Sequence, residues 1–173
     1  EAVRLVCEGQ GGGPTVQVGI LSEISRATGV VGMVGGQYLD IEDAGGSSAD
    51  ALARVHALKT GRLMAAAVHV ALALAPPSAA EDAAYRAFAR ELGLLFQIVD
   101  DILDVAGSEE ELGKAVGTDE RLGKVTYVSL HGMDRARELA AQSHARAIGL
   151  LDGVDGQVDD LAGIADTAFT RQS

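Results

Sequence analysis

The sequence has no tryptophan and only three phenylalanines and three tyrosines among its 173 residues. Proline is equally scarce, at three residues, and no segment alternates apolar and polar side chains over four or more positions. Because sheets are normally rich in β-branched and aromatic residues, this composition argues against a β-rich fold. A core of aliphatic residues and alanine favours close-packed helices, and we predict an all-α helical bundle.

Cysteine and positive charge are also in short supply. The single cysteine, Cys7, excludes an intramolecular disulfide and is typical of a reducing compartment, so we expect a cytoplasmic protein. Lysine and arginine number 14 against 25 aspartates and glutamates, which gives a formal net charge of −11. A field of that sign repels nucleic acid and anionic membranes, and neither is an expected partner.

No apolar run is long enough to span a bilayer. The longest, Leu63 to Ala75, has 13 residues and is followed by Pro76-Pro77, whereas a transmembrane helix needs about 20 residues. We therefore predict no integral membrane segment. The first residues lack a basic region followed by an apolar one, so no signal peptide is expected.

Helical periodicity and end signals predict where helices begin and end. The predicted features are a helix over 16–28, a start at Ser48, a break at Thr60-Gly61, a long helix over 79–106 with a Ser78–Glu81 capping box and a stop at Gly107, and two or three helices from about 126 to 172. These elements suffice for one bundle.

The stretch 94–105 is densely apolar, yet it carries three aspartates and a glutamine. On a helix, the side chains of Gln97, Asp100, Asp101 and Asp104 fall at offsets 0, 3, 4 and 7, along one stripe. Carboxylates on an inward stripe repel one another and are costly to desolvate unless a cation neutralises them. Mg²⁺, which takes oxygen ligands and bridges carboxylates to phosphate, fits this pattern. The alternative is a solvated acidic face on an amphipathic helix.

Lysines beside glycines supply the opposite charge. Lys59 lies at the predicted helix break, and Lys114 and Lys124 follow the acidic helix in a glycine-bearing loop. Taken singly, each lysine is better explained as a solvated surface charge. Together with the aspartates they suit a polyphosphate, held by a metal ion on one side and ammonium groups on the other.

Five motifs, in order and at fitting spacings, carry a family resemblance. They are Gly32-Met33-Val34-Gly35-Gly36-Gln37 with Asp40, Lys59-Thr60-Gly61, Phe96-Gln97 with Asp100-Asp101-Ile102-Leu103-Asp104, Gly113-Lys114 with Gly117-Thr118-Asp119, and Gly123-Lys124 with Thr126-Tyr127. On these motifs the chain resembles the C-terminal part of a trans-prenyltransferase of the polyprenyl (isoprenyl) diphosphate synthase family, which includes farnesyl and geranylgeranyl diphosphate synthases. The resemblance implies the isoprenoid synthase helical bundle without its N-terminal helices, with residues 1–173 as the C-terminal portion of one polyprenyl synthetase domain.

The resemblance also implies residue roles. Asp100, Asp101 and Asp104 resemble the second aspartate-rich motif of the family, which binds the Mg²⁺ that bridges to the diphosphate of the allylic substrate. The lysines that resemble the diphosphate-binding set are Lys59, Lys114 and Lys124, with Thr60 and Gln97 in support. Lys59 and Thr60 are also expected where the carbocation forms, beside Gln37 and Asp40. Phe96 is expected to line the prenyl pocket.

The implied reaction joins an allylic diphosphate to isopentenyl diphosphate, which gives a longer trans-isoprenyl diphosphate, and the implied intact enzyme is a homodimer. The sequence departs from the family pattern because the first aspartate-rich motif, Asp-Asp-x-x-Asp with a following arginine pair, does not occur in it. We therefore expect this chain alone to be inactive.

Three other interpretations compete with the enzyme. A non-catalytic partner subunit of a complete synthase need not keep the aspartates and lysines present here. A class I terpene cyclase would normally carry an Asn/Asp-x-x-x-Ser-x-x-x-Glu motif, which is not in the sequence, and a purely structural bundle would bind no Mg²⁺–diphosphate. The four histidines, His56, His69, His131 and His144, have no metal-ligand spacing, and none is expected to be catalytic.

Overall fold

The structure, a computed structural model, describes residues 1–9, 12–42, 48–112, 125–156 and 158–171, with the side chains of 108–112 outside the description. Every regular element in these ranges is helical, which confirms the predicted all-α class. The α-helices are α1 (Ala2–Glu8), α2 (Pro14–Thr28), α3 (Met33–Ile41), α4 (Ala49–His56), α5 (Arg62–Leu74), α6 (Ala79–Leu112), α7 (Tyr127–His131), α8 (Met133–Leu151) and α9 (Asp159–Thr170). A five-residue π-helical segment, Ala57–Gly61, joins α4 to α5 and is called the π-turn below.

The core lies along α6, which packs against α5, α8, α9 and the π-turn. The fully buried side chains of α6 are Phe88, Ala89, Leu95, Ile98, Val99 and Ile102, and α8 presents to them Ala136, Ala140, Ser143 and Ala147. Because these α8 residues are small, the two helices can lie close together. The core is therefore the aliphatic and alanine core that the composition predicts.

The predicted helix starts are confirmed by their capping contacts. The Ser48 hydroxyl accepts a hydrogen bond from the Ala51 backbone N–H at 3.2 Å. At the start of α6, the Ser78 backbone N–H and hydroxyl donate to the Glu81 carboxylate at 2.9 and 2.7 Å, and the Glu81 N–H donates back to the Ser78 hydroxyl at 3.3 Å. These contacts satisfy backbone donors that the first turn of a helix leaves open.

The predicted stop of the long helix at Gly107 is wrong, because α6 continues to Leu112. Gly107 takes no left-handed conformation; within the described residues, the positive φ recorded for a glycine is that of Gly132, at 81°. A glycine inside a helix costs only about 1 kcal/mol relative to alanine. The packing of this 34-residue helix against its neighbours outweighs that penalty.

At Thr60-Gly61, the predicted break, the helix is not interrupted but continues as the π-turn. Two glycines let the neighbouring helices approach this segment closely. A Cβ added at Gly36 of α3 would lie 2.8 Å from the carbonyl carbon of Leu58 and closer still to the Lys59 backbone nitrogen. A Cβ at Gly93 of α6 would lie 3.1 Å from the Gly61 Cα. The π-turn is thus in backbone contact with α3 on one side and with α6 on the other.

Because the π-turn does not interrupt the helix, α4, the π-turn and α5 form one helical stretch, Ala49–Leu74. By length and composition alone this stretch could cross a membrane, although the longest apolar run in the sequence is shorter. One such helix is weak evidence, since the core helix of a soluble protein passes the same test of length and composition, although only 17% of the apolar window is buried here. In this structure the stretch packs against α2, α3, α6 and α7.

The outer face of α3 is apolar and exposed. Val34, Tyr38 and Ile41, spaced four and three residues apart, have exposed fractions of 50%, 61% and 71%. Val30 and Val31, just before the helix, are exposed as well. The opposite face of α3 carries Gly36 and meets the π-turn.

We predict that Gly36→Ala lowers the free energy of unfolding by about 1–3 kcal/mol, the usual cost of forcing extra volume into a packed contact. The matched control is Gly19→Ala in α2, where an added Cβ meets nothing within 4 Å and alanine gains up to about 1 kcal/mol of helix propensity. Urea unfolding followed by circular dichroism measures both variants. Equal midpoints for Gly36→Ala and the unmodified chain would contradict the backbone contact.

Candidate active site

The contact between α3 and the π-turn brings Lys59 and Asp40 together. The Lys59 ammonium nitrogen donates to Asp40 Oδ2 at 2.5 Å, and the two side chains are 32% and 19% exposed. Gln37 lies one turn before Asp40 on α3 and is half-buried. The pair is accessible enough for an anion to compete with Asp40 for the ammonium group.

Hydrogen bonds continue from the π-turn into α6. The Thr60 hydroxyl donates to Gln97 Oε1 at 2.9 Å, and Gln97 Nε2 approaches Asp101 Oδ1 at 3.4 Å. Gln97 is 8% exposed, so these contacts form in a largely dry environment. The structure thus joins Thr60 to Gln97 directly, whereas Lys59, the neighbour of Thr60 in sequence, pairs with Asp40 of α3.

Asp101 is the most buried of the three aspartates, at 3% exposure. Its Oδ2 accepts a hydrogen bond from the Tyr127 backbone N–H at 2.8 Å. That N–H lies in the first turn of α7, where intrahelical partners are lacking. The Thr126 hydroxyl accepts from the Ser129 N–H at 3.0 Å and so caps the same turn.

The single acidic stripe expected from the sequence is in fact two rows. Gln97 and Asp101 point into the protein, whereas Asp100 is half-buried and Asp104 is exposed. The physical reason is the helical rotation of about 100° per residue, which separates Asp100 from Asp101 although both count as one polar stripe. In the part of the chain that the structure describes, no three His, Cys, Asp or Glu side chains are gathered for a metal ion.

Asp100 and Asp104 nevertheless fit the donor chemistry of Mg²⁺. The two carboxylates belong to the same face of α6, one turn or about 6 Å apart along its axis. Mg²⁺ commonly uses only one or two carboxylates and takes its remaining oxygens from water and phosphate. The outer row can therefore hold a cation that a phosphate ligand shares.

Phe96 lies one turn before Asp100 and lines a groove of about 670 Å³. Leu92 and Met64 line the same groove from α6 and α5, and α9 closes its far side. There the Arg171 guanidinium carbon lies 5.0 Å from the centre of the Phe96 ring, in cation–π geometry. Phe96 thus lines a groove, but neither Asp100 nor Asp104 is among the lining residues. The position of Phe96 in a prenyl pocket stays a prediction.

Two further predicted residues, Lys114 and Lys124, lie outside the described residues. Conversely, sequence reasoning missed the contribution of α9 to the groove, through Asp160, Ile164 and Arg171. That helix matches no motif, and only its tertiary packing places it beside Phe96. Sequence reasoning also gave no role to His56, a buried residue next to Asp101.

We predict that the folded protein loses stability at alkaline pH because the Tyr127 hydroxyl ionises. Burial, and next the charge of Asp101, raise the pKa of the Tyr127 hydroxyl above its ordinary value. Folding thus favours the neutral phenol, so this contribution to stability is present below the unfolded pKa of tyrosine and is lost as pH rises through the folded pKa. Melting temperatures measured from about pH 9 to about pH 12 should fall more steeply for the unmodified chain than for Tyr127→Phe. Parallel curves would contradict the assignment.

Comparisons with known proteins identify the family of the chain. The family model for polyprenyl synthetase matches residues 16–161. Geranylgeranyl pyrophosphate synthase from Capsicum annuum chloroplasts is 40% identical over 146 residues, which cover 83% of this chain and 40% of that protein. The chain thus spans well under half of this relative's length.

Solved structures share the fold. An FPP/GFPP synthase from Zymomonas mobilis matches with a TM-score of 0.80 at 27% identity, over 96% of this chain and 56% of that one. A geranyltransferase from Helicobacter pylori, solved with magnesium and isoprenyl diphosphate, matches with a TM-score of 0.71 at 25% identity, over 99% of this chain and 55% of that one. The fold is therefore the all-α fold of the isoprenyl synthases, as the resemblance implied. On the family match and the identity to these synthases, the chain belongs to the polyprenyl synthetase family.

Proposed function

We propose that the chain is the C-terminal, diphosphate-binding portion of a Mg²⁺-dependent prenyltransferase. The reaction joins an allylic diphosphate to isopentenyl diphosphate and yields a longer trans-isoprenyl diphosphate. The observation that carries the proposal is the Thr60–Gln97 hydrogen bond, which ties the π-turn with its Lys59 ammonium group to the helix that bears the aspartates. One anion with several negative oxygens can bind the Lys59 ammonium group and a metal ion held by the aspartates at the same time.

The two acid rows have different tasks in this proposal. Asp100 and Asp104, which are accessible to solvent, would hold the Mg²⁺. Asp101 belongs to the same motif, but its oxygens face the Tyr127 N–H and the Gln97 amide. We therefore propose that Asp101 orients Gln97 and the start of α7 and does not bind the metal ion. When bound, Mg²⁺ neutralises charge on the diphosphate and makes it a better leaving group.

The lysines bind the leaving diphosphate. Lys59 exchanges its partner Asp40 for diphosphate oxygens, and Lys114 and Lys124 are proposed to join it. Such charges act most strongly in a site that excludes water, where their effect on the developing negative charge is largest.

The apolar groove serves the other half of the substrate. Ionisation breaks the allylic C–O bond, the double bond of isopentenyl diphosphate attacks the resulting carbocation, and a proton is then lost. A carbocation reacts with water unless apolar walls exclude it. Phe96, Leu92 and Met64 supply apolar lining to the groove, which Asp159, Asp160 and Arg171 also line. Of these residues, Phe96 lies one helical turn before Asp100.

The proposal concerns a chain that spans 40% of the pepper synthase. The first aspartate-rich motif is not in the sequence, so we expect no turnover by this chain alone. A homodimeric intact enzyme and a cytoplasmic location, as expected from the resemblance and from the cysteine content, belong to the same proposal. The exposed apolar face of α3 is consistent with a further protein contact there.

We predict that the 173-residue chain binds pyrophosphate in the presence of MgCl₂ and that Asp100→Asn with Asp104→Asn weakens this binding roughly tenfold or more, the size of a lost charged contact. Isothermal titration calorimetry measures the affinity. The control Asp152→Asn with Asp155→Asn, two exposed residues just after α8, makes the same two-charge change away from the site and should bind like the unmodified chain. Equal loss in the control variant would point to a general charge effect instead.

A turnover assay tests the second part of the proposal. We expect no diphosphate release when the chain is incubated with MgCl₂, an allylic diphosphate and isopentenyl diphosphate. Robust release would show that the chain needs no further segment. If the chain binds no Mg²⁺–pyrophosphate but changes the rate of a complete synthase, the non-catalytic partner subunit is the better interpretation.

A further inference from the structure

His56 is a buried polar residue for which the proposed reaction has no use. It is 7% exposed and is the last residue of α4, three positions before Lys59. Its Nε2 lies 3.9 Å from Asp101 Oδ1, the oxygen that Gln97 Nε2 also approaches. Its ring lies against the Tyr127 ring, with centroids 5.6 Å apart and planes inclined by 41°.

These contacts place His56 where three elements of the site meet. It belongs to the helix that leads into the π-turn, its polar edge faces α6, and its ring packs on the first residue of α7. Asp101, in turn, touches the same elements through Gln97 and the Tyr127 N–H. Moving either side chain must therefore disturb the other.

We propose that His56 is a positioning residue that acts through Asp101. It keeps the Asp101 carboxylate turned toward the Tyr127 N–H and the Gln97 amide, and Gln97 then holds Thr60 and the π-turn against α6. The effect on ligand binding rests on the proposed diphosphate site, whereas the effect on Asp101 does not.

The burial of Asp101 explains why a histidine suits this position. A carboxylate that is 3% exposed is costly to bury unless polar groups surround it. The 3.9 Å separation is longer than a hydrogen bond, so the ring acts through its polar edge and its packing. Phenylalanine would keep the packing on Tyr127 and remove the polar edge, and glutamine would keep a polar end.

Hydrogen exchange of the Tyr127 backbone amide tests the link without any ligand. In His56→Phe we expect this amide to exchange roughly fivefold faster relative to core amides such as those of Ile98 and Ala140, because its bond to a charged acceptor is weakened. His56→Gln should restore most of the protection. The matched control is His144→Phe, since His144 also lies beside a carboxylate, Asp166, and an aromatic ring, Phe169. His144→Phe should leave the exchange rate of the Tyr127 amide unchanged.

A double-mutant cycle tests the link to binding. Calorimetry with MgCl₂ and pyrophosphate should show weaker binding in His56→Phe, but no additional weakening when His56→Phe is added to Asp101→Asn. Fully additive effects would overturn the proposal, because His56 would then act independently of Asp101. Unchanged exchange of the Tyr127 amide in His56→Phe, or an acceleration no greater than that in His144→Phe, would overturn it as well.

The two proposals fail in different ways. If the unmodified chain binds no Mg²⁺–pyrophosphate, the diphosphate site is wrong, yet the exchange experiment still decides the role of His56. If binding is present and Tyr127 exchange does not respond to His56→Phe, the positioning role is wrong and the diphosphate site stands. If His56→Phe does not fold, His56→Leu takes its place, because leucine also removes the polar edge. Faster Tyr127 exchange in His56→Leu than in His56→Gln supports the link, and equal exchange in the two variants overturns it.

Discussion

The burial of one carboxylate, Asp101, is the constraint on which the arrangement of this site depends. A charge at 3% exposure is tolerated only where donors and polar groups converge on it, and here they come from three separate elements. The Tyr127 N–H fixes the start of α7, Gln97 connects to Thr60, and His56 belongs to α4. Satisfying one buried group therefore sets the relative positions of the helices that bear the proposed functional side chains.

The placement of charge follows from this arrangement. Inward rotation of Asp101 leaves Asp100 and Asp104 on the accessible side of α6, where like charges are unfavourable unless a cation is near. On the other side, Lys59 is held by Asp40 at the edge of the π-turn. The ammonium group of Lys59 thus belongs to the segment that Thr60 hydrogen-bonds to α6, the helix that carries the acid cluster, and Phe96 of the same helix lines the groove.

Local rules predicted much of this molecule. The Ser48 and Ser78 caps and the position of the irregular turn at Thr60-Gly61 follow from residue types and their spacing, whereas the joint role of Lys59, Thr60 and Gln97 is implied by the family resemblance and stays a prediction. Other features depend on long-range packing, which no local pattern encodes. The continuation of α6 through Gly107, the separation of Asp101 from Asp100 and Asp104, and the closing of the groove by α9 are of that kind. The roles of Lys114 and Lys124 stay predictions, since both lie outside the described residues.

The glycine contact at the π-turn bears on how variants of this protein are interpreted. Gly36 has no side chain with which to do chemistry, yet its Cα lies against the backbone that carries Lys59. A bulkier residue there would displace the ammonium group and impair the proposed ligand capture much as loss of the lysine would. In a survey of random variants, substitutions of Gly36 would therefore have the same effect as substitutions of a proposed ligand-binding residue. A parallel measurement of the amount of folded protein would distinguish steric displacement of Lys59 from loss of its ammonium group.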